Sequence, residues 1–159
     1  MPLRFGINGL GRVGRALLRV SRDRQGLHLA AVNDVAPAPV LARLLARDSV
    51  HGPFPGDVRA GAGSLEIDGG RVAVFQEPDP SRVSWSEEGV EAVVEATGRF
   101  LARRHAAAHL RGGVRRVVLS ANADPADPAD VTLCFGLNED AFDPLRHAVV
   151  SNASCTTNC

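Results

Sequence analysis

The chain contains no lysine, a single tryptophan, few aromatic residues (4%) and no net charge. Each shortage argues against a class of function. The 18 basic residues are all arginine and are balanced by 18 acidic ones. No excess of positive charge is left to grip a phosphate backbone, and few rings could stack on bases, so a nucleic-acid partner is not expected. Arginine in place of lysine throughout points to codon bias, which lowers the weight of any single arginine. No apolar run approaches the ~20 residues that cross a bilayer. Glycine and asparagine interrupt the N-terminal run Met1-Pro2-Leu3-Arg4-Phe5-Gly6-Ile7-Asn8, so it does not read as a secretory leader. A cytoplasmic protein with no membrane partner is expected. Cys134, Cys155 and Cys159 are too few for a disulfide framework, and with no second pair of ligands no metal site is expected.

What remains is an ordinary globular composition: 159 residues, 45% hydrophobic and 23% charged, enough for one domain with a real core. Strand-like and helix-like stretches alternate. Leu3–Ile7 reads as a strand, followed by a glycine turn and an amphipathic helix through Val13, Leu17, Leu18 and Val20. A second strand, Leu29–Val32, ends at Asn33-Asp34, and Pro37 and Pro39 suit the opening of a helix through Val40, Leu41, Leu44 and Leu45. Residues 52–76 break the rhythm with short alternating runs around Asp68-Gly69-Gly70, a hairpin signature, and read as an antiparallel insertion. The alternation resumes with strand Ala92–Ala96, helix Leu101–Leu110, strand Val117–Leu119 (buried on both faces), strand Val131–Phe135 and a last strand before Cys155. The expected fold is α/β, a doubly wound and mostly parallel sheet of the Rossmann type.

Gly9-Leu10-Gly11-Arg12-Val13-Gly14 fits the G-x-G-x-x-G pattern. The pattern alone is weak, but here a strand precedes it, a helix follows, and Asp34 closes the second strand 20 residues past Gly14. Gly9 permits the tight turn, Gly11 admits a pyrophosphate close to the backbone, and Gly14 allows helix and strand to pack. The free N–H groups around Arg12 and Val13 would meet the diphosphate at the helix N-terminus. Asp34 would accept hydrogen bonds from the adenosine ribose and repel a 2′-phosphate, so NAD is the expected cofactor. Gly9, Asp34, Thr97-Gly98, Ser120 and Cys155 all fall just past strand ends, where a doubly wound sheet binds its ligands.

Cys155 follows an apolar run and sits among small hydroxyl residues that suit a helix start, an arrangement for a nucleophilic thiol. A helix N-terminus contributes only about 0.3–1 kcal/mol toward a thiolate, up to ~2 in good geometry, so a base is needed as well. The histidines are poorly placed for it. His28 and His147 open strands at the far end of the sheet, His105 and His109 share a solvated helix face, and His51 lies in a turn. The partner base is therefore expected outside this sequence. Cys134, inside an apolar strand, and Cys159, one helical turn beyond Cys155, are expected to be structural.

These residues resemble the phosphorylating glyceraldehyde-3-phosphate dehydrogenase family over the whole chain. The likeness runs through Gly6–Arg15, Asn33-Asp34, Asp48–Gly52, Trp85, Glu95–Gly98 and the active-site-like stretch Ser151–Cys159. The resemblance implies that Cys155 attacks an aldehyde to give a thiohemiacetal, that hydride passes to NAD, and that inorganic phosphate cleaves the resulting thioester. It implies substrate contacts from Ser154 and Thr156, cofactor contacts from Arg12, Val13, Asp34 and Ser120, and a cleft shared with Thr97 and Gly98. It further implies a base histidine and a catalytic domain beyond this chain, and a homotetrameric parent. Residues 1–151 are accordingly expected to form the dinucleotide-binding domain, with 152–159 opening the catalytic one. The chain alone is expected to be inactive.

Some positions depart from the family pattern: Glu77-Pro78-Asp79-Pro80 lacks an arginine near the cofactor, Ser120-Ala121-Asn122-Ala123 lacks a proline and a lysine, and Arg47 replaces an aromatic residue. Two other readings stay open. The substrate is erythrose 4-phosphate or another phosphorylated aldehyde, or the chain is a stand-alone NAD- or partner-binding module.

Overall fold

Apolar runs that end on a polar residue become the central strands. In the computed structural model, which describes residues 1–158, β1 (Leu3–Asn8) feeds α1 (Arg12–Ser21), which returns to β2 (Leu27–Asn33) alongside β1 and parallel to it. The chain continues through α2 (Ala38–Ala46) and a two-stranded antiparallel ribbon, β3 (Arg47–Asp48) with β4 (Gly52–Pro53). Next come β5 (Val58–Gly61), β6 (Ser64–Ile67) and β7 (Gly70–Phe75), two 3₁₀ turns (Pro80–Arg82 and Trp85–Glu88), and β8 (Ala92–Glu95). A short helix α3 (Arg103–Ala106), β9 (Arg116–Leu119), β10 (Val131–Thr132), β11 (Val149–Ser151) and α4 (Cys155–Asn158) complete the chain.

The main sheet runs β10-β11-β9-β8-β1-β2-β7-β6-β5. All pairings from β10 to β7 are parallel, and only β5–β6 and β6–β7 are antiparallel. The expected doubly wound sheet is there, with one adjustment. Within residues 52–76 only β5 and β6 form the antiparallel extension, because β7 pairs with β2 in parallel. Its hairpin turns at Asp68-Gly69, both with positive φ (51° and 81°), the two-residue geometry whose twist matches the flanking strands.

Two layers cover the sheet. On one face Ile7, Leu18, Val32, Leu41, Leu45 and Leu65 form the core under α1 and α2, and each fully buried aliphatic side chain contributes about 1.5–3 kcal/mol. On the other, Trp85 packs with Ala31, Ala73, Val90, Val93 and Val114. Pairing of β1 with β2 skips Ala30, a bulge that puts Leu29 and Val32 on the same side and keeps Asn33 opposite Asn8. Trp85 lies so close over β1 that a Cβ on Gly6 would come within 2.5 Å of its ring.

Several expectations from the sequence change here. In α1 the buried face is Gly14, Leu18 and Ser21, while Val13 and Val20 are exposed, because the helix must bring glycine rather than valine against the sheet. The stretch 101–110 is helical only as α3 plus a 3₁₀ turn at Ala107–His109. In β9, Val117 and Leu119 are buried but Val118 is half-exposed, so the strand is covered fully on one face only. The strand expected over 131–135 stops at Thr132, since β10 is an edge strand with only β11 to pair with. Phe135 beyond it is 89% exposed. Cys134 therefore sits in a turn, its Sγ 3.2 Å from Asn158 Oδ1, and not inside a strand. Cys159 lies outside the described residues.

Candidate functional site

Every central strand is parallel, so the segments after β1, β2, β8, β9 and β11 leave the sheet at one rim. The chain passes from β1 to β2 and β7 on one side, then crosses to β8 on the other side of β1. At such a switch point the segments leaving β1 and β8 diverge and open a crevice. A cleft of about 200 Å³ is found there, lined by Asn8, Gly9, Gly11, Asp34, Pro78 and Thr97, among others.

The glycine turn is built as the spacing demanded. Gly9 has φ +94°, and a Cβ there would lie 2.7 Å from Thr97 Cγ2. A Cβ on Gly14 would lie 2.1 Å from the Gly9 carbonyl oxygen, so Gly14 lets α1 close on the turn. Gly11 differs from both. It precedes α1 with φ −70°, which any residue adopts, and a Cβ there would meet no protein atom within 4 Å. Arg12 and Val13 follow, exposed, on the first turn of α1. Arg15 steadies the turn by donating to the Leu10 carbonyl at 3.1 Å while facing Asp48 at 3.6 Å. Hydrogen bonds from the His51 and Val50 backbone N–H groups, helped by the Arg15 charge, hold the Asp48 carboxyl below the usual aspartate range.

Asp34 closes the turn from β2. One carboxylate oxygen accepts from Leu10 N–H at 2.7 Å and the other from Ala36 N–H at 2.9 Å. Two of roughly four lone-pair positions are thereby used, and Asp34 lines the cleft. Thr97 and exposed Gly98 follow β8, and half-buried Ser120 follows β9, its N–H bonded to the Glu95 carbonyl at 3.0 Å.

Beyond β11 the chain turns at Ala153, a buried non-glycine residue with φ +56°, a left-handed conformation that costs energy and fixes the exit direction. Ser154 then caps α4, its Oγ accepting from Thr157 N–H at 3.0 Å, and Cys155 opens the helix, exposed to solvent beside exposed Thr156. From β2 to β11 the rim spans four strand spacings, about 19 Å. Gly9, Gly11, Gly14, Asp34 and Thr97 thus form one cluster, while Ser120 and the Ser154-Cys155-Thr156 group stand farther along the same edge.

Sequence reasoning missed the polar layer beneath the cleft. His109 is fully buried, not solvated as expected, because the 3₁₀ turn at Ala107–His109 swings its ring inward beneath Trp85, which donates to His109 Nδ1 at 3.0 Å. Glu95, Asn8 and Asn33 are buried beside it. Asn33 Nδ2 donates to Asn8 Oδ1 at 2.7 Å, and Asn8 Nδ2 donates to Glu95 Oε2 at 2.5 Å. A signal for them does exist in the sequence, since each ends an apolar strand and the three lie in register across β2, β1 and β8. Among the described residues no group of His, Cys, Asp and Glu could hold a metal ion. Among the described residues, no helix is long and apolar enough to cross a membrane.

The sheet, the glycine turn and the acidic residue after β2 define a dinucleotide-binding α/β domain. Residues 3–103 match the family model described as glyceraldehyde 3-phosphate dehydrogenase, NAD binding domain. The chain belongs to that family and carries its NAD-binding domain. It is 45% identical over 159 residues to glyceraldehyde-3-phosphate dehydrogenase 1 of Bacillus subtilis (strain 168). It is equally similar to glyceraldehyde-3-phosphate dehydrogenase of Geobacillus stearothermophilus, and 48% identical over 156 residues to that of Kitasatospora aureofaciens. The chain spans about 47% of the length of the first two relatives and 46% of the third.

Proposed function

We propose that this chain binds NAD along the rim from Asp34 to Cys155 and forms the cofactor half of a cytoplasmic dehydrogenase that oxidises and phosphorylates glyceraldehyde 3-phosphate. One observation carries the reading: Gly11 opens onto empty space at a helix N-terminus, while Gly9 and Gly14 are filled against protein. A glycine with no steric reason of its own is explained by a ligand that must come close. In this reading Gly9, Gly11 and Gly14 shape the diphosphate seat and the N–H groups near Arg12 and Val13 face it. Asp34 takes the ribose hydroxyls, and Thr97, Gly98 and Ser120 continue the seat toward the thiol.

Cys155 is the nucleophile of this proposal. Its sulfur adds to the aldehyde carbon, the carbonyl oxygen takes a proton, and a thiohemiacetal results. NAD, when bound, would supply the acceptor for the hydride that leaves this carbon, while a base takes the hydroxyl proton. The thioester left on Cys155 is then opened by an oxygen of inorganic phosphate, which expels the thiolate and releases an acyl phosphate. In this reading Ser154 and Thr156 hold substrate and phosphate. A base is required for the first step, and three of the histidines do not supply it: His109 is buried under Trp85, and His28 and His147 lie toward the opposite rim. Residues 1–151 are read as the dinucleotide-binding domain and the turn at Ala153 as the entrance to a second unit, and the whole enzyme as a homotetramer.

Titration calorimetry of the chain with NAD tests the reading, together with a steady-state assay containing glyceraldehyde 3-phosphate, NAD and phosphate. One NAD per chain and no sustained NADH formation are expected. Absence of NAD binding sinks the cofactor assignment, and steady turnover sinks the claim that the base lies elsewhere.

A further inference from the structure

The polar layer under the cleft forms a continuous path that the cofactor reading leaves unexplained. An indole N–H can only donate, so the 3.0 Å contact from Trp85 Nε1 requires a lone pair on His109 Nδ1. The ring is then the neutral tautomer with its proton on Nε2. That proton faces Glu95 Oε2 at 3.3 Å. The same oxygen accepts from Asn8 Nδ2 at 2.5 Å, and Oε1 accepts from both the backbone N–H (2.8 Å) and the hydroxyl of Thr97. Donors converge on both oxygens, as a buried acceptor-only carboxylate requires. Neither the Glu95 nor the His109 side chain has any exposed surface.

Thr97 passes the arrangement on to the cleft. Its Oγ1 accepts from Arg99 N–H at 3.1 Å, and its methyl packs where a Cβ on Gly9 would lie 2.7 Å away. Asn8, on the other oxygen of Glu95, also accepts from Asn33, whose side chain holds Glu77 through N–H and C=O bonds of 2.9 and 2.8 Å. Three sides of the cleft therefore hang on one carboxylate.

We propose that His109 is a positioning residue for the cofactor: held by Trp85, its Nε2–H fixes the Glu95 carboxylate, which sets Thr97 and the Gly9 turn in the shape the dinucleotide meets. This rests on the reading that NAD occupies the cleft. Asparagine and glutamine separate the two ring nitrogens. His109→Asn keeps an acceptor near the Nδ1 position and loses the donor to Glu95, whereas His109→Gln keeps a donor near the Nε2 position and loses the partner of Trp85.

The test uses the ¹⁵N-labelled 159-residue chain and its two variants. Without cofactor, the Thr97 amide resonance is expected to move in His109→Asn and to stay near wild type in His109→Gln. With NAD, His109→Asn is expected to bind about tenfold more weakly and His109→Gln within about twofold of wild type. A purely structural role would penalise both substitutions alike. Equal effects of the two, or an unmoved Thr97 amide in both, overturns the proposal. Should His109→Asn fail to fold, NAD titration of the wild type decides. The indole N–H of Trp85, the only tryptophan, must shift although Trp85 does not line the cleft, and a fixed indole signal counts against the coupling. If the wild type binds no NAD, the cofactor reading fails by itself, and the cofactor-free Thr97 comparison still judges His109.

Discussion

Adding one methyl group at Gly14 or at Gly11 separates the fold from the ligand. In Gly14→Ala the new Cβ would lie 2.1 Å from the Gly9 oxygen, 3.1 Å from the Gly9 carbonyl carbon and 3.3 Å from Ile7 Cγ2. The first distance is more than 1 Å short of an ordinary contact of about 3.5 Å, and the obstacle is backbone, which no rotamer change relieves. Helix α1 must withdraw from the turn and uncover Leu18 and Leu10. A cost near the top of the overpacking range follows, about 3 kcal/mol, a large share of the total stability of ~5–15 kcal/mol typical of a domain. With a urea slope of about 2 kcal/mol/M this lowers the unfolding midpoint by about 1.5 M. Gly11→Ala meets no protein atom, and its only intrinsic penalty is that alanine is a poorer N-cap than glycine, about 0.5–1 kcal/mol. In the proposed reading its methyl stands where the diphosphate approaches, so NAD affinity should fall about tenfold or more. Urea unfolding followed by circular dichroism, and calorimetry with NAD, read the two effects. The reasoning fails if Gly14→Ala unfolds within a few tenths molar of wild type, or if Gly11→Ala binds NAD undiminished.

Two further outcomes follow from the same geometry. If, as proposed, Asp34 accepts the ribose hydroxyls, Asp34→Ala removes that charged acceptor, so NAD should weaken about ten- to hundredfold while NADP loses less, and calorimetry with both nucleotides would expose a uniform loss instead. Asp130 links Arg103 on α3 (2.5 Å) to the N–H groups of Ala148 and Val149 at the start of β11 (2.8 Å each). Burial alone would raise its carboxyl, but the Arg103 bond and the two N–H donors outweigh it and hold the value below the ordinary aspartate level of 3.8. A depressed folded value means that this stabilisation is complete above the unfolded pKa and is lost as pH falls through the folded one. Because the Asp130 side chain is 14% exposed and that of Arg103 44%, Asp130→Ala should cost about 2 kcal/mol at pH 7, and the difference from wild type should shrink below pH 3.8. A deficit that does not change with pH in urea titrations would refute the charge assignment.

What the sequence determined by itself was set by local chemistry. Gly9, Gly14 and Asp34 were readable because a tight turn, a close helix approach and a strand-ending acid each leave only one or two residue types possible. The parallel core was readable because strands buried between layers are apolar and alternate with helices. The tertiary structure decided the rest. The valines of α1 looked like its buried stripe, but the approach to Gly9 turned Gly14 and Leu18 inward. His109 looked like a solvated helix residue, yet a tighter 3₁₀ turn placed it under Trp85, where only long-range partners could satisfy its ring. The left-handed turn at Ala153 carries no residue signature at all. Positions constrained by their own backbone can be read along the chain, whereas positions constrained by partners 14 to 24 residues away, as in the bonds of His109 with Glu95 and Trp85, exist only once the strands are paired.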